Sequence, residues 1–172
     1  MQERTGVFRF KGQPFTLIGP ELHVGDRAPE FALLANDLSV VKLSDSRGKQ
    51  RLLSVVTSLD TSICSIQTKH FNEELAKLGP QVVAYTISCD LPFAQARFCG
   101  AEGISNMQVL SDHREVSFGQ VYGVLIKELR LLARSVFIVG DDDRLSYAHI
   151  ESEGAQEPDY EPALSALKAT LK

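Results

Sequence analysis

Two short apolar runs, RLLSVVTS at 51–58 and VVAYTIS at 82–88, flank a stretch of helical periodicity. The helix is expected from about Ser62 to Leu78, with Ile63, Ile66, Phe71, Leu75 and Leu78 on one stripe. Gly79-Pro80 stops it. A strand, a helix and a strand in that order make a crossover, so the two strands are parallel neighbours in one sheet.

The flanking segments extend this unit. VFRFKGQPFTLIG alternates apolar and polar residues around Lys11-Gly12-Gln13-Pro14 and reads as a β-hairpin ahead of the main body. PEFALLA and VVKLS form another short pair. After the second buried strand, DLPFAQARFCG carries a short helix, with Asp90 as its expected cap, Pro92 in the first turn and Gly100 at its end. MQVLSD is a further strand and REVSFGQVYGV a further helix. LLARSVFIVG and RLSYAHIE are strands joined through Asp141-Asp142-Asp143, a solvated turn of an antiparallel hairpin. DYEPALSALKATLK closes the chain as a helix with Tyr160, Ala163, Leu164, Leu167 and Leu171 on one side. The expected fold class is α/β: a mixed central sheet flanked by helices on both faces, thioredoxin-like, with an N-terminal β-hairpin extension. Residues 1–172 are expected to form a single domain, because one core of this size buries most of the unfolded surface without disulfides.

Charge and hydropathy narrow the function classes. The net charge is −4 and the basic residues are scattered, so the phosphate-neutralising footprint of a nucleic-acid binder is missing. No run of about 18 apolar residues occurs, and MQERTGVFRFKG has no signal-like apolar stretch, so no membrane partner and a cytoplasmic location are expected.

Three cysteines, Cys64, Cys89 and Cys99, are too few and too odd for a secreted disulfide scaffold. In a reducing compartment they serve packing, metal binding or redox chemistry. There is no CxxC, and His23, His70, His113 and His149 are dispersed without ligand spacing, so no metal site is expected. With Thr61 as helix N-cap, Cys64 is the third helical residue, where unpaired amides and the helix dipole favour a thiolate over a thiol. The bland alternative is that Cys64 is a small buried hydrophobe. Cys99 lies at the opposite kind of place, a helix C-terminus, in a helix of about two turns that frays readily. Cys89 reads as a spare, partly buried thiol. Arg134, inside an apolar strand, either meets an anion such as a Cys64 thiolate or reaches solvent at the strand end. His70 faces away from Cys64 and reads as a surface or helix-packing residue, and Phe93 and Phe98 as core or dimer contacts.

Taken together, DTSIC, DLPFAQARFCGAEG, the preceding GDRAPEF, LLARSV and EPDYEPALSALK resemble the thiol peroxidase branch of the peroxiredoxins, of the atypical two-cysteine kind, over essentially the whole chain. The resemblance implies a hydroperoxide reductase acting on hydrogen peroxide and organic hydroperoxides, with no metal or organic cofactor. Cys64 would be the peroxidatic cysteine and Cys99 the resolving one, with an intramolecular disulfide reduced by thioredoxin. Thr61 would bind the peroxide, Arg134 would stabilise thiolate and peroxide, and the protein would be a homodimer. Thr57 departs from the family pattern, which has a proline there, and Cys89 stands where a small residue is expected. Two rival readings follow: a peroxide sensor or redox relay, and a low-activity member spoiled by Thr57.

Overall fold

The computed structural model describes residues 1–171. Its central sheet has seven strands: β3 (Ala32–Leu34), β4 (Val40–Lys42), β5 (Gln50–Val55), β6 (Val82–Ser88), β7 (Gln108–Ser111), β10 (Ser135–Val139) and β11 (Leu145–Ile150). Their order across the sheet is β11-β10-β5-β6-β7-β3-β4. β5, β6 and β7 are parallel, as the crossovers require, while β10, β11, β3 and β4 pair antiparallel at the flanks. A smaller sheet pairs β1 (Glu3–Phe10), β2 (Gln13–Ile18), β8 (Leu125–Ile126) and β9 (Leu131–Leu132) in that order. The N-terminal hairpin is therefore present as expected, and β8 and β9 extend it.

The helices are α1 (Ser62–Leu75), α2 (Pro92–Glu102), α3 (Ser117–Val121) and α4 (Tyr160–Ala169). Alternation along β5 divides the core in two. Leu53 and Val55 point to one face, with Phe8, Leu17, Phe31, Phe118, Tyr122 and Phe137; Leu52 and Val56 point to the other, with Phe71, Val136, Ile138 and Leu164. The second face carries α1, α2 and α4. The first is covered by the small sheet and the short helix α3, so helices lie on both faces as expected, and the hairpin adds to the cover of one of them.

Three local expectations also change. The buried side of α1 is Cys64, Gln67, Thr68, Phe71 and Leu75, while Ile66 is 41% exposed. The helix is turned from the isoleucine stripe because Gln67 and Thr68 find polar partners inside, which removes the cost of burying them. Asp90 does not cap α2; Leu91 holds the N-cap position, and the helix runs past Gly100 to Gly103, whose φ of 66° supplies the left-handed turn. Asp143 is not merely solvated, because its carboxylate pairs with the fully buried guanidinium of Arg51.

Candidate active site

The site is built at the C-terminal end of β5, where the chain leaves the sheet for α1. Val56 donates its N–H to the Ile87 carbonyl at 3.0 Å, which keeps the exit aligned with β6. Thr57 is 6% exposed, and its hydroxyl donates to the Leu132 carbonyl at 2.9 Å. The following turn is clamped by Asp90: one carboxylate oxygen accepts from the Ser58 hydroxyl at 2.7 Å and the other from the Leu59 N–H at 2.8 Å.

Thr61 stands at the N-cap of α1, as its position predicts, with extended backbone at φ −108°. Its hydroxyl makes no capping bond; it donates to the Ser58 carbonyl at 2.7 Å. The first-turn amides are thus not consumed by a side-chain cap. Cys64 is the third residue of α1 and fully buried.

Arg134 sits between β9 and β10 and is 1% exposed. Its Nη2 lies 3.3 Å from Cys64 Sγ and 2.8 Å from the Gly154 carbonyl oxygen. Nε donates to the same Gly154 carbonyl at 3.1 Å, and Nη1 to Gln67 Oε1 at 2.8 Å. Gln67 is held in turn, its Nε2 donating to Ser54 Oγ at 2.8 Å. No carboxylate pairs with Arg134 among the described residues. A buried guanidinium surrounded by neutral acceptors needs a counter-charge, and the Cys64 sulfur is the contacting atom able to carry one. The pair can hold a nucleophilic thiolate in a water-poor place.

Cys99 occupies the last turn of α2, half-buried against the same core as Cys64, and its carbonyl accepts from Ile104 N–H at 3.1 Å. Burial pushes its thiol up, and a hydrogen bond from Asn36 works the other way. Cys89 packs against the opposite core, and burial, reinforced by the Asp112 carboxylate, pushes its thiol up to about 12. All three cysteines are free. His70 stacks on Tyr160 with ring centroids 4.0 Å apart, a packing role. Phe98 packs on the core, whereas Phe93 is 68% exposed. No cluster of three or more His, Cys, Asp or Glu suited to a metal occurs among the described residues.

The structure thus brings Cys64 and Arg134 into contact and places Thr61 at the mouth of their turn. Gln67, Gly154 and Asp90 belong to the site as well and were not singled out for it. Gln67 had one signal, a polar residue three positions after Cys64 on the same helix; Gly154 had none.

Comparison with known proteins follows the same lines. The Redoxin family model matches residues 23–164. A thiol peroxidase of Bacillus subtilis is 54% identical over 163 residues, 95% of this chain and 97% of that protein. One of Halalkalibacterium halodurans is 55% identical, covering 94% and 97%. Among solved structures, a peroxiredoxin-like protein from Aquifex aeolicus superposes with a TM-score of 0.90 at 39% identity, covering 97% of each chain. A thiol peroxidase from Chromobacterium violaceum shares the fold at 19% identity, with a TM-score of 0.83 over 94% of this chain and 95% of its own.

Proposed function

The chain belongs to the redoxin family, and on that premise we propose that it is a thiol peroxidase whose chemistry is carried by Cys64 and Arg134. Its fold is the thioredoxin-like one of the peroxiredoxins, its substrate a hydroperoxide and its reductant a thiol. The observation that carries the site assignment is the 3.3 Å contact of Arg134 Nη2 with a fully buried Cys64 Sγ, made by a guanidinium that has no carboxylate partner among the described residues.

In this reading the Cys64 thiolate attacks the terminal peroxide oxygen. The S–O bond forms as the O–O bond breaks, and the alkoxide or hydroxide leaves and takes up a proton, giving alcohol or water and Cys64 sulfenic acid. Arg134 donates to the sulfur and has the charge to stabilise the oxygens as negative charge develops, and Thr61 contributes its hydroxyl at the entrance once released from Ser58. Cys99 then attacks the sulfenic sulfur and expels water, forming an intramolecular disulfide that thioredoxin reduces by dithiol exchange. Ile66, Leu91 and Phe93 are exposed at 41%, 54% and 68% and suit a homodimer contact. Three unpaired cysteines suit the reducing cytoplasm.

One equivalent of hydrogen peroxide added to reduced protein is expected to give a Cys64–Cys99 disulfide by peptide mapping, absent from Cys64→Ser and Cys99→Ser. An unreacted Cys64 would overturn the peroxidase assignment, and a Cys64–Cys89 bond would overturn that of Cys99.

A further inference from the structure

The N-terminal hairpin is remote from Cys64 in sequence, yet an unbroken chain of contacts joins them. The tight turn of the hairpin places Lys11 and Gly12 at φ values of 50° and 77°. Both of their amides donate to one carboxylate: Lys11 N–H to Glu153 Oε1 at 2.9 Å and Gly12 N–H to Oε2 at 3.0 Å. The Ala155 N–H adds a third bond to Oε1 at 2.9 Å. The backbones are zipped beside this grip, Arg9 N–H to the Ser152 carbonyl and Gly154 N–H to the Arg9 carbonyl, each at 2.8 Å. Phe8 closes the arrangement from below, since a Cβ on Gly154 would lie 2.6 Å from its Cζ. Gly154 is therefore fixed on its N–H side and on its Cα side. Its carbonyl faces the other way and receives both Nε and Nη2 of Arg134.

We infer that Glu153 is a positioning residue of the peroxidase site, which locks the hairpin turn onto the 152–155 loop so that the Gly154 carbonyl holds the Arg134 guanidinium against Cys64. The inference rests on the assignment of Cys64 and Arg134 given above. A guanidinium is directional: Nε and Nη2 on one carbonyl set its plane, and Nη2 then also meets the sulfur. If the loop loosens, Arg134 stays buried but loses that plane, and both thiolate stabilisation and peroxide orientation suffer together. The Glu153 carboxylate itself is taken up by the Lys11, Gly12 and Ala155 amides.

The test uses the full chain carrying Cys89→Ser and Cys99→Ser, so that Cys64 alone reports. Glu153→Ala is expected to slow Cys64 oxidation by hydrogen peroxide about tenfold or more. It also moves the pH profile of Cys64 alkylation by iodoacetamide to higher pH. Glu153→Gln, which keeps one acceptor oxygen, falls between and remains informative if the alanine variant does not fold. In a cycle with Arg134→Lys, the double variant is expected to be little slower than Arg134→Lys alone. Fully additive losses, or an unchanged rate and pH profile in both Glu153 variants while Arg134→Lys is impaired, would overturn the positioning role. A wild-type rate in Arg134→Lys would instead overturn the site assignment on which it rests.

Discussion

Among the described residues Arg134 is satisfied by a carbonyl, an amide oxygen and a sulfur, and the contacting atom able to match its charge is the Cys64 sulfur, the nucleophile proposed above. Cys89 shows the opposite environment: burial beside Asp112 pushes its thiol up to about 12, which leaves it protonated and unreactive at neutral pH. Asp112 is itself unusual. It is 3% exposed, and although its carboxylate accepts from the Phe118 and Gly119 N–H groups, burial outweighs them and pushes the carboxyl up to about 6. The native state then binds a proton that the unfolded chain, titrating near 4, has already released. Stability therefore falls as pH rises from about 4 to about 6, by on the order of 3 kcal/mol. Urea unfolding between pH 4 and 6 should show this slope in wild type and lose it in Asp112→Asn; an identical slope in both would refute it. At this scale the sequence was most readable where a residue's own place in an element was the signal, as for Cys64, the third residue of α1. It was silent where a partner arrives from a distant segment, as with Gly154, which contributes only a backbone carbonyl.

Each of the two cysteine-bearing helices is placed by something other than its own periodicity. α1 rotates to bury Gln67 and Thr68, and Ile66 turns outward; the apolar stripe misleads there because hydrogen-bonding partners make polar burial tolerable. α2 begins without its expected Asp90 cap because that carboxylate is engaged by Ser58, Leu59 and Ser88, the last at 2.7 Å. Asp90 thereby ties the turn before Cys64 to the start of the helix that carries Cys99. The far end of α2 is less constrained: Pro92 and Gln95 are its buried residues, both near the N-terminus, and Gly100 stands in the last turn without a side chain to pack. Formation of a Cys64–Cys99 bond requires Cα atoms within about 7 Å and two sulfurs turned toward one another. The element best able to yield is this C-terminal half of α2. Native-state amide exchange should be faster through residues 97–103 than through β5 and β6. Protection there equal to that of the central strands would argue against Cys99 moving to meet Cys64.

Across the whole molecule, the two sheets are joined by one core, not by a linker. Phe8 and Leu17 of the hairpin, Leu125 and Ile126 of β8, and Leu53, Val55 and Phe137 of the central sheet lie in the same buried cluster. Phe8, Leu17, Ile126 and Leu132 have no exposed surface. The alternation on either side of Lys11-Gly12 made the hairpin legible in the sequence, but nothing local foretold that it would join α3 in covering one face of the sheet. That depends on β8 and β9, two-residue strands too short to leave a periodic signal. A hairpin so buried cannot melt while the sheet beneath it stays folded, because its loss would expose Phe31, Phe118, Tyr122 and Phe137 together. The far edge is pinned as well, by the pairing of buried Arg51 with Asp143 across the turn from β10 to β11. Thermal unfolding of reduced protein should therefore be one cooperative transition, with far-ultraviolet ellipticity and the near-ultraviolet signal of the buried tyrosines falling together. The calorimetric enthalpy should equal the van't Hoff enthalpy. A separate early transition assigned to residues 3–18 would show that the hairpin folds as its own unit, and the single-domain expectation would fail with it.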